Sequence, residues 1–176
     1  MGLELTRRRL AGLAFGGAGS IIAGRRAVAA PALPAPTEKP LLTIAGKIRV
    51  FNSLDSVQLD RAGLEGLGTA SFTTKTPWYP EPVEFEGVPM ARLMAAVGAF
   101  GNTALATALN DYVTEIPTRD FSIYNVLLAL KRDGEYMPLR DKGPLFIVYP
   151  YDSDPVLRHQ RFYSRSAWQV AHLVVR

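Results

Sequence analysis

Arg158, Arg161 and Arg165, with Arg140 and Lys142 upstream, bring enough positive charge into one region to form an anion cradle. Guanidinium groups at that density suit a phosphate or an oxyanion. Asp141, Asp152 and Asp154 are interspersed with them and give the other reading, a solvated loop whose charges offset one another. His159 lies in the same stretch and is the best acid–base candidate by residue type, with no second histidine at ligand spacing. His172 alternates with apolar residues and reads as a hydrogen-bonded core side chain. Asp111 and Tyr112 place a carboxylate beside a phenol, although Asn110-Asp111 is first of all turn chemistry. Trp78, Tyr79 and Phe85 would either stack on a flat ligand or plug a core. Glu84 and Glu86 flank Phe85 and are expected to face water on an edge strand.

Several chemistries are excluded. The chain has no cysteine, so it has no disulfide, thiolate-bound zinc, iron–sulfur cluster, cysteine nucleophile or lipidated cysteine. It also lacks a glycine-rich phosphate loop, a nucleophile elbow and a metalloprotease helix, and no metal ligand set can be read from it. The formal charge of +4 sits entirely in residues 1–29, where five arginines face only Glu4. The remainder is electrically neutral, which gives no reason to expect nucleic-acid or anionic-membrane binding.

Those first 29 residues read as an export leader. Thr6-Arg7-Arg8-Arg9-Leu10 is a basic opening, Leu10 to Gly24 is uncharged and apolar, and Ala27-Val28-Ala29 is a small-residue cleavage site. The apolar stretch is shorter than the ~20 residues a membrane-spanning helix needs, so no stable span is expected after cleavage. The paired arginines resemble the twin-arginine signal, which implies a periplasmic destination. Residues 30–40 carry four prolines and read as an extended tether outside the core.

Strands and short helices from residue 41 onward must position the candidate residues. Leu42, Ile44, Ile48 and Val50 suggest a strand pair bent at Gly46-Lys47, and Val57 to Leu59 a short strand. Asp60 is a helix cap ahead of Leu64 and Leu67, with Gly68 closing that helix. Thr69 to Thr76 is a β-branched strand running into a loop at Pro77. Met90, Leu93, Met94 and Val97 have helical spacing, stopped by Gly98. Two hairpins come next, Thr103–Leu109 with Tyr112–Ile116, and Val126–Arg132 with Tyr136–Leu139 across Asp133-Gly134. Leu145–Tyr149 and Trp168–Val175 complete the strands. The expected fold is a β-rich α+β domain.

Trp78, then Phe85-Glu86-Gly87-Val88-Pro89 entering a helix, Asn110-Asp111-Tyr112 with Ile116-Pro117, Leu127 to Gly134, Gly143-Pro144-Leu145 to Val148-Tyr149-Pro150, and Trp168 stand in a telling order. Together they resemble the molybdopterin-binding domain of the sulfite oxidase superfamily over residues 41–176. The resemblance implies a mixed-sheet fold in a single compact domain. It also implies a molybdopterin cofactor, with Trp78, Asp111, Tyr112, Arg158, Arg161 and Arg165 as its candidate contacts here. The chain departs from that pattern at the metal. The family's cysteine ligand would fall on the strand before Trp78, which reads Ser71-Phe72-Thr73-Thr74-Lys75. Phe146 replaces the arginine expected after Gly143-Pro144-Leu145, and the family's lysine- and glycine-rich phosphate segment is not recognisable.

Two functions are expected on these grounds. One is a molybdopterin-dependent oxidoreductase whose metal site is degenerate. The other is a cofactor-free periplasmic module that binds a small or anionic ligand, or serves a membrane-bound protein partner. For the leader, N-terminal sequencing of the exported chain should begin at Ala30, and an intact Met1 would overturn the cleavage site.

Overall fold

The structure is a computed structural model and describes residues 33–176; the leader and the first tether residues lie outside that range. Two five-stranded sheets enclose one core. The first, sheet A, begins with β1 (Leu42–Gly46), whose Leu42 and Ile44 turn inward while Thr43 and Ala45 turn outward. It pairs antiparallel with β2 (Ser56–Leu59) and parallel with β10 (Val170–Val175). β5 (Thr103–Ala108) and β6 (Val113–Pro117) form the first expected hairpin and extend the order to β2-β1-β10-β5-β6.

The bend at Gly46 is present, but residues 48–50 are not the partner strand. Gly46 has φ +90°, and a Cβ there would stand 2.2 Å from the Val175 carbonyl oxygen. Only glycine tolerates both conditions. The chain then leaves the sheet, and Arg49 and Val50 donate their amides to the Val97 carbonyl.

Sheet B contains β3 (Ala70–Thr76), β4 (Tyr79–Pro89), β7 (Leu127–Arg132) and β8 (Glu135–Tyr136) in that order, with β9 (Phe146–Val148) also pairing with β7. β4 runs where the sequence suggests a loop. Its prolines at 80 and 82 hide it, yet they fall before Phe85, where pairing with β7 begins. That half of β4 has a neighbour on one side only, the setting in which a strand tolerates proline. Glu84 faces water as expected, just before pairing with β7 begins, whereas Glu86 lies where β4 is paired on both sides, so its edge placement is corrected. Glu86 pairs with Lys131 at 3.0 Å, while the Glu84 amide donates to Asp133.

Helix α2 (Met90–Ala96) buries Met90, Leu93 and Met94 as its spacing dictates. α1 (Arg61–Glu65) is capped by Asp60, which accepts from the Gly63 amide at 2.8 Å. Two short helices are not legible in the sequence: α3 (Thr118–Ile123) and α4 (Gln160–Arg165). Each buries a single large apolar side chain, Phe121 or Phe162, so neither carries a repeating stripe.

His172 is exposed and not in the core. The β10 register shifts between Val170 and His172, and a bulge of one residue reverses the side-chain alternation beyond it. Val170, Leu173 and Val175 are consequently the buried residues.

The tether is docked from Leu33 onward, contrary to its reading as a free linker. Leu33 packs against the core, and the Asn52 side chain donates to the Pro34 carbonyl. Asp60 makes the main clamp. One carboxylate oxygen caps α1, and the other accepts the Thr37 and Glu38 amides at 2.7 and 3.0 Å. Backbone donation from Gly63, Glu38 and Thr37 lowers its pKa to about 2. A depressed carboxylate stabilises the fold fully above its unfolded value, about 3.9, and that contribution disappears as pH falls toward 2. The protection factors of the Thr37 and Glu38 amides, each taken against intrinsic exchange at the same pH, should therefore fall between about pH 4 and pH 2. Asp60→Ala should release both amides at neutral pH, and unchanged protection in that variant would overturn the clamp.

Candidate functional site

Four segments converge on one cleft of about 300 Å3. Pro77 and Trp78 come from the β3–β4 connection, Asn110 and Tyr112 from the β5–β6 turn, and Gln160, Tyr163 and Ser164 from α4, while Ser166 and Trp168 lead into β10. Trp78 is central to it. Its ring meets Phe146, Tyr151, Tyr163 and Trp168 edge to face, at centroid distances of 5.4, 6.2, 6.2 and 5.6 Å. Such pairs contribute about 0.5–1.5 kcal/mol each beyond the area they bury.

The turn closes one end. Asp111 takes φ +63°, and Asn110 accepts the Tyr112 amide through its side chain. Tyr112 then donates its hydroxyl to the Ser164 carbonyl at 2.7 Å, which joins the turn to α4. Asp111 is exposed and does not line the cleft, so the turn accounts for it and the pocket does not.

The lining carries no formal charge, but it is rich in neutral donors. Among the described residues, neither the indole N–H of Trp78 and Trp168 nor the Tyr163 hydroxyl has a protein hydrogen-bond partner. No buried side-chain nitrogen or oxygen among them is left unsatisfied, so these donors are open to solvent. Aromatic walls with neutral donors suit a ring-bearing molecule that presents carbonyl or ring-nitrogen acceptors.

The arginines do not form a common cradle. Arg158 bonds Asp152 at 2.8 Å and borders an open depression beside Lys75 and Tyr151 that adjoins the cleft at Pro77 and Tyr163. Arg161 is exposed, with its guanidinium 4.7 Å from the Phe162 ring centroid. Arg165 turns inward to Asp120 at 2.7 Å, and Tyr149 donates to the same carboxylate oxygen at 2.9 Å. Lys142 pairs with Asp141 and lies over the Tyr79 ring, and exposed Arg140 borders the same shallow depression beside Trp78 and Trp168. Arg158, Arg161, Arg165 and Lys142 each have a nearer carboxylate or aromatic partner, which divides the cluster. Burial, followed by the Asp120 charge, raises the Tyr149 pKa and keeps that phenol protonated. His159 caps α4, its Nδ1 accepting the Arg161 amide at 3.2 Å.

The strand expected to supply a metal ligand offers none. Thr74 is buried, and its hydroxyl accepts the Asp152 amide at 3.0 Å while donating to the Lys75 carbonyl. A thiolate suits a molybdenum–sulfur centre, whereas a neutral hydroxyl is harder and far less acidic. Among the described residues, no group of three His, Cys, Asp or Glu side chains is arranged to hold a metal ion. The residues present do not fit a protein-ligated molybdenum.

Of the sequence candidates, Trp78 and Tyr112 meet in the cleft, while Asp111 and the arginines stand outside it. Tyr163, Ser164 and Gln160 escape the sequence reading because α4 is not recognisable as a helix. The run Phe162-Tyr163-Ser164 before Trp168 is the available signal.

Two sheets with this strand order and the short helices around them make the fold the β-rich, mixed-sheet α+β type of the sulfite oxidases. A solved relative in shape is the sulfane dehydrogenase SoxCD from Paracoccus pantotrophus. It matches with a TM-score of 0.57 and 17% identity, over 76% of this chain and 37% of that one. At that identity the likeness is one of fold, and the chain spans little more than a third of that protein's length. No family model and no curated protein sequence matches the chain.

The Asp120–Arg165 pair fixes α4 against α3 and thereby sets the cleft wall. Arg165 keeps a fifth of its side chain exposed, so loss of its partner, which also strips the Tyr149 hydroxyl of its acceptor, should cost about 1–3 kcal/mol. Asp120→Ala should lose about that much stability in urea denaturation, with a smaller loss in Asp120→Asn. Equal stability of Asp120→Ala and the parent would show that the pair does not hold α4.

Proposed function

We propose that the chain is an exported small-ligand-binding module on the sulfite-oxidase-type fold, holding a ring-bearing molecule in the cleft around Trp78. The observation that carries this reading is Thr74. At the expected metal-ligand strand, a buried threonine bonded to Lys75 and Asp152 replaces the thiolate, while the aromatic cleft beside it stays open. Binding requires only the walls and donors already described. The leader would deliver the folded module to the periplasm, where it would serve a membrane-bound protein partner.

The second reading is a molybdopterin-dependent oxidoreductase that retains its cofactor through the pterin alone. The fold favours it, and so does the twin-arginine leader, because that route exports folded proteins already loaded with cofactor. In this reading the cofactor would supply oxygen-atom or electron transfer and the protein would position it.

One preparation separates the two. The full chain is expressed with its leader in a host that makes molybdopterin and purified from the periplasm. Molybdenum is measured by mass spectrometry, and pterin by the fluorescence of its oxidised form. The binding-module reading expects neither at stoichiometric level. Stoichiometric molybdenum would overturn it, and pterin without metal would identify the ring in the cleft while ending the oxidoreductase reading.

A further inference from the structure

We infer that a groove on the outer side of sheet A docks an extended, acidic, leucine-bearing segment of a partner protein. The groove holds about 530 Å3 and shares no lining residue with the aromatic cleft. Its floor includes Thr43 and His172, which are register partners across β1 and β10. Its walls are Pro40, Pro138, Leu109 and Leu139.

Two features point to a protein segment. Leu109 and Leu139 are each 56% exposed, yet neither stands on loose chain. The Leu109 amide donates to the Gln169 carbonyl at 2.9 Å, and the Gln169 side chain donates to the Leu139 carbonyl at 2.7 Å. One residue thus holds both leucines in place, so a partner loses little entropy in ordering them. Rigid, exposed apolar side chains bordering a groove mark an interaction surface.

Charge selects the partner. Lys39, Arg61 and His172 line the groove, and no carboxylate does. Among the described residues, neither Lys39 nor Arg61 takes part in an ion pair, although Arg61 lies 4.1 Å from the Tyr136 ring centroid. Lys39 and Arg61 therefore put positive charge on the rim of an apolar trough whose own lining holds no carboxylate. Acidic side chains alternating with leucines complement both parts, since an extended segment sends alternate side chains to opposite faces.

The test uses the full chain and a panel of labelled short peptides that alternate Leu with Asp or Glu, read by fluorescence anisotropy. Lysine-for-acid counterparts and anionic phosphatidylglycerol vesicles serve as comparisons. Saturable binding of the acidic peptides should exceed that of the basic ones by about tenfold or more. Leu139→Asp should weaken it by about tenfold. The double variant Lys39→Glu/Arg61→Glu should reverse the preference toward the basic peptides, a gain that misfolding would not produce. The proposal is overturned by no binding across the panel, by equal binding of both charge types, or by indifference to Leu139→Asp. A preference for vesicles, or a Leu139-dependent dimer formed without peptide, overturns it as well. Because the two surfaces share no residue, failure here leaves the cleft reading intact.

Discussion

The edge-to-face contacts of Trp78 tie together parts of the molecule that only a few hydrogen bonds connect. Sheet B contributes Phe146 to that cluster, the segment after β9 contributes Tyr151, α4 contributes Tyr163, and the approach to β10 in sheet A contributes Trp168. No backbone ladder joins the two sheets at this point, apart from the single bridge between Phe146 and Trp168. Side-chain packing adds to that bridge. Three of the five rings, Trp78, Tyr163 and Trp168, also line the cleft, while Phe146 and Tyr151 are buried behind it. The aromatic character of the cleft is therefore a by-product of the device that joins the sheets.

The same neighbourhood shows how the end of sheet B is held by the protein's own hydrogen bonds. The Asp152 amide donates to the Thr74 hydroxyl and the Asp152 carboxylate accepts the Lys75 amide, which fastens the end of edge strand β3 to the loop ahead of α4. Asp152 in turn holds Arg158. Backbone donation from Lys75, and then Arg158, lowers the Asp152 pKa and keeps the carboxylate ionised. These neutral and charge-assisted bonds stabilise the region.

The periodic elements are legible in the sequence. Met90, Leu93 and Met94 announce α2, Asp60 announces α1, and Asp133-Gly134 announces the β7–β8 turn. Each has a local cause that two or three residues express. The hidden features depend on distant partners. β4 looks like a loop because its prolines are tolerated only given where β7 begins. His172 looks buried because a bulge is invisible to simple alternation. The arginines suggest a cradle because sequence proximity cannot say that Arg165 faces Asp120 across 45 positions. Of the cleft, Trp78 and Tyr112 can be read from the sequence, and the α4 wall cannot.

The pairing of β1 with β10 places nearly the first and nearly the last strand of the domain side by side in the middle of sheet A. During synthesis, β1 leaves the ribosome early and waits for a neighbour that is made last. Sheet A cannot close until β10 has been made, and contacts so far apart in sequence are slow to form. A chain interrupted before Val170 would leave the centre of that sheet open, with β1 and β5 both lacking the neighbour that joins them.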